Sequence, residues 1–336
     1  MDNHNGLPAG AGGVSSCAVA PASAPDQRLT ARPLLDLSTL DSDQPPAEAR
    51  PDYVLPYLSV GECALLAGQP GAGKSWLALQ MCASVAIGRD LAGSDACPEG
   101  LGIHGDGAAV TYIELEDGPA IVWHRLHALY ARMQPTEQAQ LKADLTVVVS
   151  PGRPLDVMTT TGRAELRALA EGRRLVVVDS LACSHRADEN DTRAMADVAT
   201  VFTETATETG AAMIIVHHVS KAAVRDGMQD MRMAARGASS FAAAMRMQSV
   251  LVGMTNADAK ARRLRPQDIA GYVRWCIPLQ HHGPQPADIW LQKDCSGFHA
   301  VRLTDVPKSS KPATKGRKGT PSPKTMRTDD EDDGSW

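Results

Sequence analysis

No two cysteines in this chain are spaced C-x-x-C. The seven present (Cys17, Cys63, Cys82, Cys97, Cys183, Cys276 and Cys295) are scattered and odd in number. That pattern argues against a disulfide framework and against a cysteine-ligated zinc site. It leaves the cysteines as small apolar side chains, with Cys82 expected in the core. No uninterrupted apolar run approaches the roughly 18 residues that a membrane span requires. The amino terminus has no basic stretch leading into an apolar one, so no secretory leader is expected and the cytoplasm is the default compartment. A dominant charge is missing too: 34 Lys and Arg stand against 39 Asp and Glu, for a net charge of −5. With no global basic field, any contact with nucleic acid has to come from a local patch. There is no internal repeat.

What is present suits one sizeable domain with tails. The chain has 336 residues, 43% of them hydrophobic, enough for a real core. Residues 1–50 are rich in Ala, Pro, Ser, Gly and Asp. They read as a disordered arm, with one short apolar patch at Leu34, Leu35 and Leu37. Residues 306–336 read as a second tail, basic (KSSKPATKGRK) and then acidic (DDEDDGSW). Residues 51–305 alternate between two patterns. Strands are expected at 62–68, 109–115, 144–150, 174–180 and 211–218, and helices at 74–88, 120–133, 163–172 and 189–210. MQSVLVG, YVRWCIP and FHAVRL add later strands. Alternation of this kind predicts an α/β fold with a mostly parallel sheet and helices on both faces. The near-continuous Val, Ile and Leu runs fit strands buried on both sides.

Within LLAGQPGAGKSWLALQ, Gly68 to Ser75 fit G-x-x-x-x-G-K-[ST]. A glycine-rich turn lets backbone N–H groups close around phosphates, and the following helix points its positive end at the same anions. The candidate nucleotide stretch is Gly68, Gln69, Pro70, Gly71, Ala72, Gly73, Lys74, Ser75 and the adjoining Trp76. Lys74 would reach the β- and γ-phosphates of ATP, and Ser75 would ligate Mg²⁺. The motif carries weight because a strand precedes it and a helix follows.

Polar residues also stand at the carboxyl ends of other expected strands, the edge of a parallel sheet where ligands bind. Asp179 ends LVVVD and fits a carboxylate holding Mg²⁺ through water. The next residue is Ser180, so the position where many such ATPases carry a water-activating glutamate holds no base. Glu116, beyond the neighbouring strand, is the candidate to polarise the attacking water. Glu114 and Asp117 are its rivals, and Glu114 has the same strand parity. His217 and His218 end the next strand, where one of them would sense the γ-phosphate. No partner is spaced to make them a metal site.

The order of DYVLP, GQPGAGKSWLALQ, ELEDGP with HRLHAL, EGRRLVVVDSL, VHHVSK, ARGASS and MRMQS over residues 52–305 resembles the RepA-type hexameric replicative DNA helicases of IncQ plasmids, members of the RecA-like class. The resemblance implies an ATP- and Mg²⁺-dependent ring motor that unwinds DNA during plasmid or mobile-element replication. It implies Lys74 and Ser75 as the phosphate-loop pair, Glu116 as catalytic glutamate, Asp179 as the metal-holding aspartate and His218, with His217, as the sensor. It implies Arg246 as an arginine finger serving the neighbouring subunit, and Arg125 in nucleotide or interface contacts. A basic residue expected near 279 is Leu279 here, which puts more weight on Arg246 or brings in Arg274. Replication initiators or primases would be partners.

SKAAVRDGMQDMRMAARG (220–237) follows the histidines directly. In a ring this loop would face the channel, with Lys221, Arg225, Arg232 and Arg236 along a single-stranded DNA backbone. Asp226 and Asp230 dilute its charge. No motif reads bases. Three other readings use the same motifs: a RecA-like ATPase acting on DNA without unwinding, a small-molecule kinase, and a nucleotide-gated scaffold without turnover.

Overall fold

The structure is a computed structural model. It describes residues 51–153, 155–218 and 239–303. Among the described residues a nine-stranded sheet has the order β11-β10-β9-β8-β3-β7-β6-β4-β5. Six neighbours run parallel: β8 (Met247–Gly253), β3 (Cys63–Gly68), β7 (Ala212–His218), β6 (Leu175–Asp179), β4 (Val110–Glu114) and β5 (Leu145–Val149). β9 (Tyr272–Gln280), β10 (Ile289–Asp294) and β11 (Gly297–Val301) extend the sheet antiparallel from β8. Every residue of β3, β4 and β6 is buried, as the continuous apolar runs require of strands covered on both faces.

Alternating side chains feed two cores. On one face Leu66, Tyr112, Val177 and Val216 pack with α1 (Lys74–Ile87), α2 (Pro119–Tyr130) and α3 (Pro135–Asp144). On the other, Leu65, Ile113, Val178 and Ile215 pack with α4 (Thr160–Ala170), α5 (Thr192–Thr209) and α6 (Ser239–Ala244). α1 is apolar almost all round and sits against the centre of the sheet. It ends at Gly88, whose left-handed φ of 71° lets its N–H bond back to the last carbonyls. α5 starts one turn later than its pattern suggests, because Asp191 caps it by accepting from the N–H groups of Arg193 and Ala194.

Several described elements lie outside the expected set. α3 is polar, buries only Leu141, and is nucleated by a capping box between Gln134 and Glu137. β10 is short and carries Gln, Lys and Asp. A two-stranded hairpin, β1 (Tyr53–Leu55) with β2 (Leu58–Ser59), precedes the sheet. No described helix is long and apolar enough to cross a membrane.

Candidate nucleotide site

Register decides which residues meet. Gly68 pairs with His218, and Glu114 with Asp179, so four chain-distant segments end together at the carboxyl edge of the sheet. Between Gly68 and α1 the chain makes a tight turn with Gly71 at φ 80° and Gly73 at φ 97°, a region glycine enters without strain. At Gly73 even a methyl group would be excluded, since it would lie 2.6 Å from the Phe298 ring. α1 has no side-chain cap and no acidic residue in its first turn, so its positive end is left for an external anion.

Lys74 is almost fully buried. Its Nζ donates to the carbonyls of Gly68 (2.9 Å) and Gln69 (3.0 Å) and lies 2.9 Å from His218 Nδ1. Desolvation lowers the ammonium to a pKa of about 8, against the opposing pull of Asp179 and Glu116. His218 Nε2 stands 3.2 Å from Glu116 Oε2. One tautomer satisfies both ends: Nδ1 accepts from the lysine and Nε2–H donates to the carboxylate. The Ser180 hydroxyl donates to the other Glu116 oxygen. Ser180, which follows Asp179 and offers no base itself, therefore holds the Glu116 carboxylate that stands just beyond the end of β4.

The two neighbouring carboxylates differ in kind. Glu116 lies beyond the end of β4 and its side chain is 37% exposed. Glu114 is fully buried, accepts from the N–H groups of Glu116 (3.0 Å) and Asp117 (2.9 Å), and meets the Tyr112 hydroxyl at 3.0 Å. Its bonds to those two N–H groups shape the turn that carries Glu116. The Tyr112 hydroxyl also lies 2.9 Å from Asp179. One phenolic hydrogen cannot serve two carboxylates, so the arrangement is satisfied when Glu114 carries a proton. Burial and the neighbouring Asp179 push Glu114 to a pKa of about 7. Burial likewise raises Asp179. Tyr112 was missed from sequence; its signal was its position two residues before Glu114 on the same strand face.

Glu114 supplies a stability prediction. Its folded pKa lies above its unfolded value, so its contribution is full below about pH 4.5 and is lost as pH rises through about 7, roughly 3 kcal/mol in all. Melting without nucleotide should show wild-type stability falling over that window, and Glu114→Gln should flatten the fall by several degrees. An unchanged slope in the variant would assign the dependence elsewhere.

Other expected site residues are placed as follows. The Ser75 side chain stands beside Asp179 and opposes the rise in its pKa. The second Asp179 oxygen, Oδ1, is buried without a hydrogen-bond partner. An unpaired carboxylate oxygen beside a hydroxyl and a phosphate-loop turn fits Mg²⁺, which takes few protein oxygens and completes its shell with water and phosphate. His217 points to the opposite sheet face from His218. It is buried, and that burial lowers its pKa. The structure does not bring it to Lys74. Arg125 pairs with Asp117 at 2.6 Å and lies 3.8 Å from Glu114, bracing the same turn. Trp76 is half-buried and meets His124 edge-on. Arg246 is exposed at the start of β8, its N–H bonded to Cys63 O at 2.9 Å, so it lies at the amino edge of the sheet. Leu279 pairs with Gln248 near that edge. Arg274 is engaged by Asp288 (3.1 Å) and stacks over Trp290. Lys221, Arg225, Arg232 and Arg236 lie outside the described residues.

A phosphate-loop turn entering a helix, a buried aspartate ending the next strand but one, and a mostly parallel sheet with antiparallel carboxyl-terminal strands define a RecA-like P-loop ATPase. Residues 28–224, more than half of the chain, match the AAA domain family, and the chain belongs to it. Among solved structures, the ATPase domain of a helicase is similar, with a TM-score of 0.51 at 15% identity over 74% of this chain and 88% of that one. The RadB recombinase is matched at 16% identity over 73% and 93% of the two chains, with a TM-score of 0.47.

Proposed function

We propose that this ATPase is a ring-forming DNA helicase, hexameric, that draws single-stranded DNA through its centre and unwinds duplex during plasmid or mobile-element replication, with initiators or primases as partners. The observation that carries the reading is the hydrogen-bonded chain from Lys74 through His218 to Glu116. It joins the phosphate loop to the catalytic base through the last residue of β7. The segment holding Lys221, Arg225, Arg232 and Arg236 begins immediately after that residue.

The chemistry follows from the residues. Glu116, held by Ser180 and His218, takes a proton from the attacking water. Lys74 gives up its carbonyl and histidine contacts for the phosphates, which frees His218 to respond to them. Mg²⁺ held by Ser75 and Asp179 would supply charge neutralisation on the phosphate chain. Arg246 lies at the far edge of the sheet, about 17 Å along β3 from the chain's own loop. A role for it in catalysis is therefore a role in a neighbour's site. The basic loop takes single-stranded DNA by its backbone, so affinity falls as salt rises.

The direct test is strand release from a forked duplex with ATP and Mg²⁺. Wild-type protein is expected to unwind, and Lys74→Ala to lose both unwinding and hydrolysis. ATP hydrolysis stimulated by single-stranded DNA without strand release would replace this reading with a RecA-like ATPase that acts on DNA without unwinding it.

A further inference from the structure

The carboxyl-terminal hairpin brings a second cation to the phosphate loop of its own chain. Lys293 and Phe298 are direct partners across β10 and β11, so their side chains share one face. That face meets the turn into α1: a Cβ built on Gly73 would lie 2.6 Å from Phe298 Cζ and 3.6 Å from Lys293 Nζ. The approach is fixed by several contacts. Gln80 of α1 accepts from Phe298 N–H (2.9 Å) and donates to Phe298 O (2.8 Å). Arg132 donates to Ser296 O at 3.1 Å. Gly297, at φ 122°, allows the close packing, because a Cβ there would lie 2.6 Å from Gln80 Oε1 and 2.9 Å from Trp76 Nε1.

Lys293 is half-buried, and its ammonium makes no hydrogen bond or ion pair among the described residues. Its neighbour Asp294 is turned to Ser296 and His299 instead. A half-buried, unpaired ammonium held beside a phosphate-loop glycine lacks its counterion. We propose that Lys293 binds the phosphate chain of the nucleotide in cis, as a second cation beside Lys74. The proposal rests on the ATP reading of the site. It also changes the meaning of Leu279: the cation missing at that position is matched by one at the carboxyl edge of the sheet, on a strand that runs the other way.

The test is calorimetric binding of the β,γ-imido analogue of ATP and of inorganic pyrophosphate, with adenosine as the uncharged control. Lys293→Met keeps the length of the stem and removes the charge. It is expected to weaken both phosphate ligands about tenfold or more, with adenosine binding and the apo melting temperature unchanged. Lys293→Arg is expected to retain most of the affinity. If Lys293→Met binds both ligands as the wild type does while Lys74→Ala does not, this inference is overturned and the phosphate loop stands. If Lys74→Ala also binds normally, the nucleotide site itself is misassigned. A Lys293→Arg protein as weak as Lys293→Met, with a lowered melting temperature in both, would reduce Lys293 to a packing role and overturn the proposal.

Discussion

Arg246→Ala is expected to cut ATP turnover by roughly 10³-fold or more while nucleotide affinity stays within a few-fold, the signature of a cation used only in the transition state. The expectation comes from the resemblance to the RepA-type helicases, and placement decides whose site Arg246 would serve. Arg246 is exposed, and its backbone is bonded to Cys63 at the first residue of β3, while the phosphate loop leaves β3 at Gly68. The side chain cannot span that length, so any catalytic service is to another subunit. Mixing makes the argument decisive. Lys74→Ala subunits have no working site but keep Arg246; Arg246→Ala subunits have an intact site but no finger. Neither is expected to turn over ATP alone, and co-assembled they should recover part of the wild-type rate. Near-normal turnover by Arg246→Ala alone, or no recovery from mixtures shown to co-assemble, would remove the assignment.

Glu116→Gln should lower turnover by roughly 10²- to 10⁴-fold, the range for loss of a positioned base, with little change in nucleotide binding. The amide keeps the shape and still accepts from Ser180, so the loss isolates the carboxylate's basicity. Two companion variants sharpen the reading. Glu114→Gln, at a fully buried side chain bonded to the turn, should leave the chemical step within about tenfold and show itself in the pH dependence of stability instead. Ser180→Ala should fall between the two, because it removes an orienting hydroxyl and no catalytic group. Should Glu114→Gln prove the more damaging to turnover, the roles of the two glutamates would have to be exchanged.

The architecture was legible because two periodicities carry it. Buried parallel strands read as unbroken Val, Ile and Leu runs, and α1 and α5 are long enough to show a helical pattern with terminal glycines. The phosphate loop was legible from spacing alone, since glycine at left-handed positions and a lysine entering a helix have few other uses together. Polar elements stayed hidden. α3 buries one leucine, and β10 ends in Gln-Lys-Asp, so neither rises above a loop in an apolar pattern.

By itself, then, the sequence determined the alternating α/β order, the phosphate turn and the set of polar residues at strand ends, because each is written in local spacing. Which of those residues touch was decided only by tertiary structure. Strand parity left Glu114 and Glu116 equivalent, yet β4 ends at Glu114, so the turn buries one carboxylate and exposes the other. Adjacent histidines were interchangeable in sequence, and the pleat sends His218 to Lys74 and His217 into the opposite core. Lys293 had no motif at all. Its place beside Gly73 comes from an antiparallel return that brings a strand far along the chain onto α1, a contact that no short-range pattern encodes.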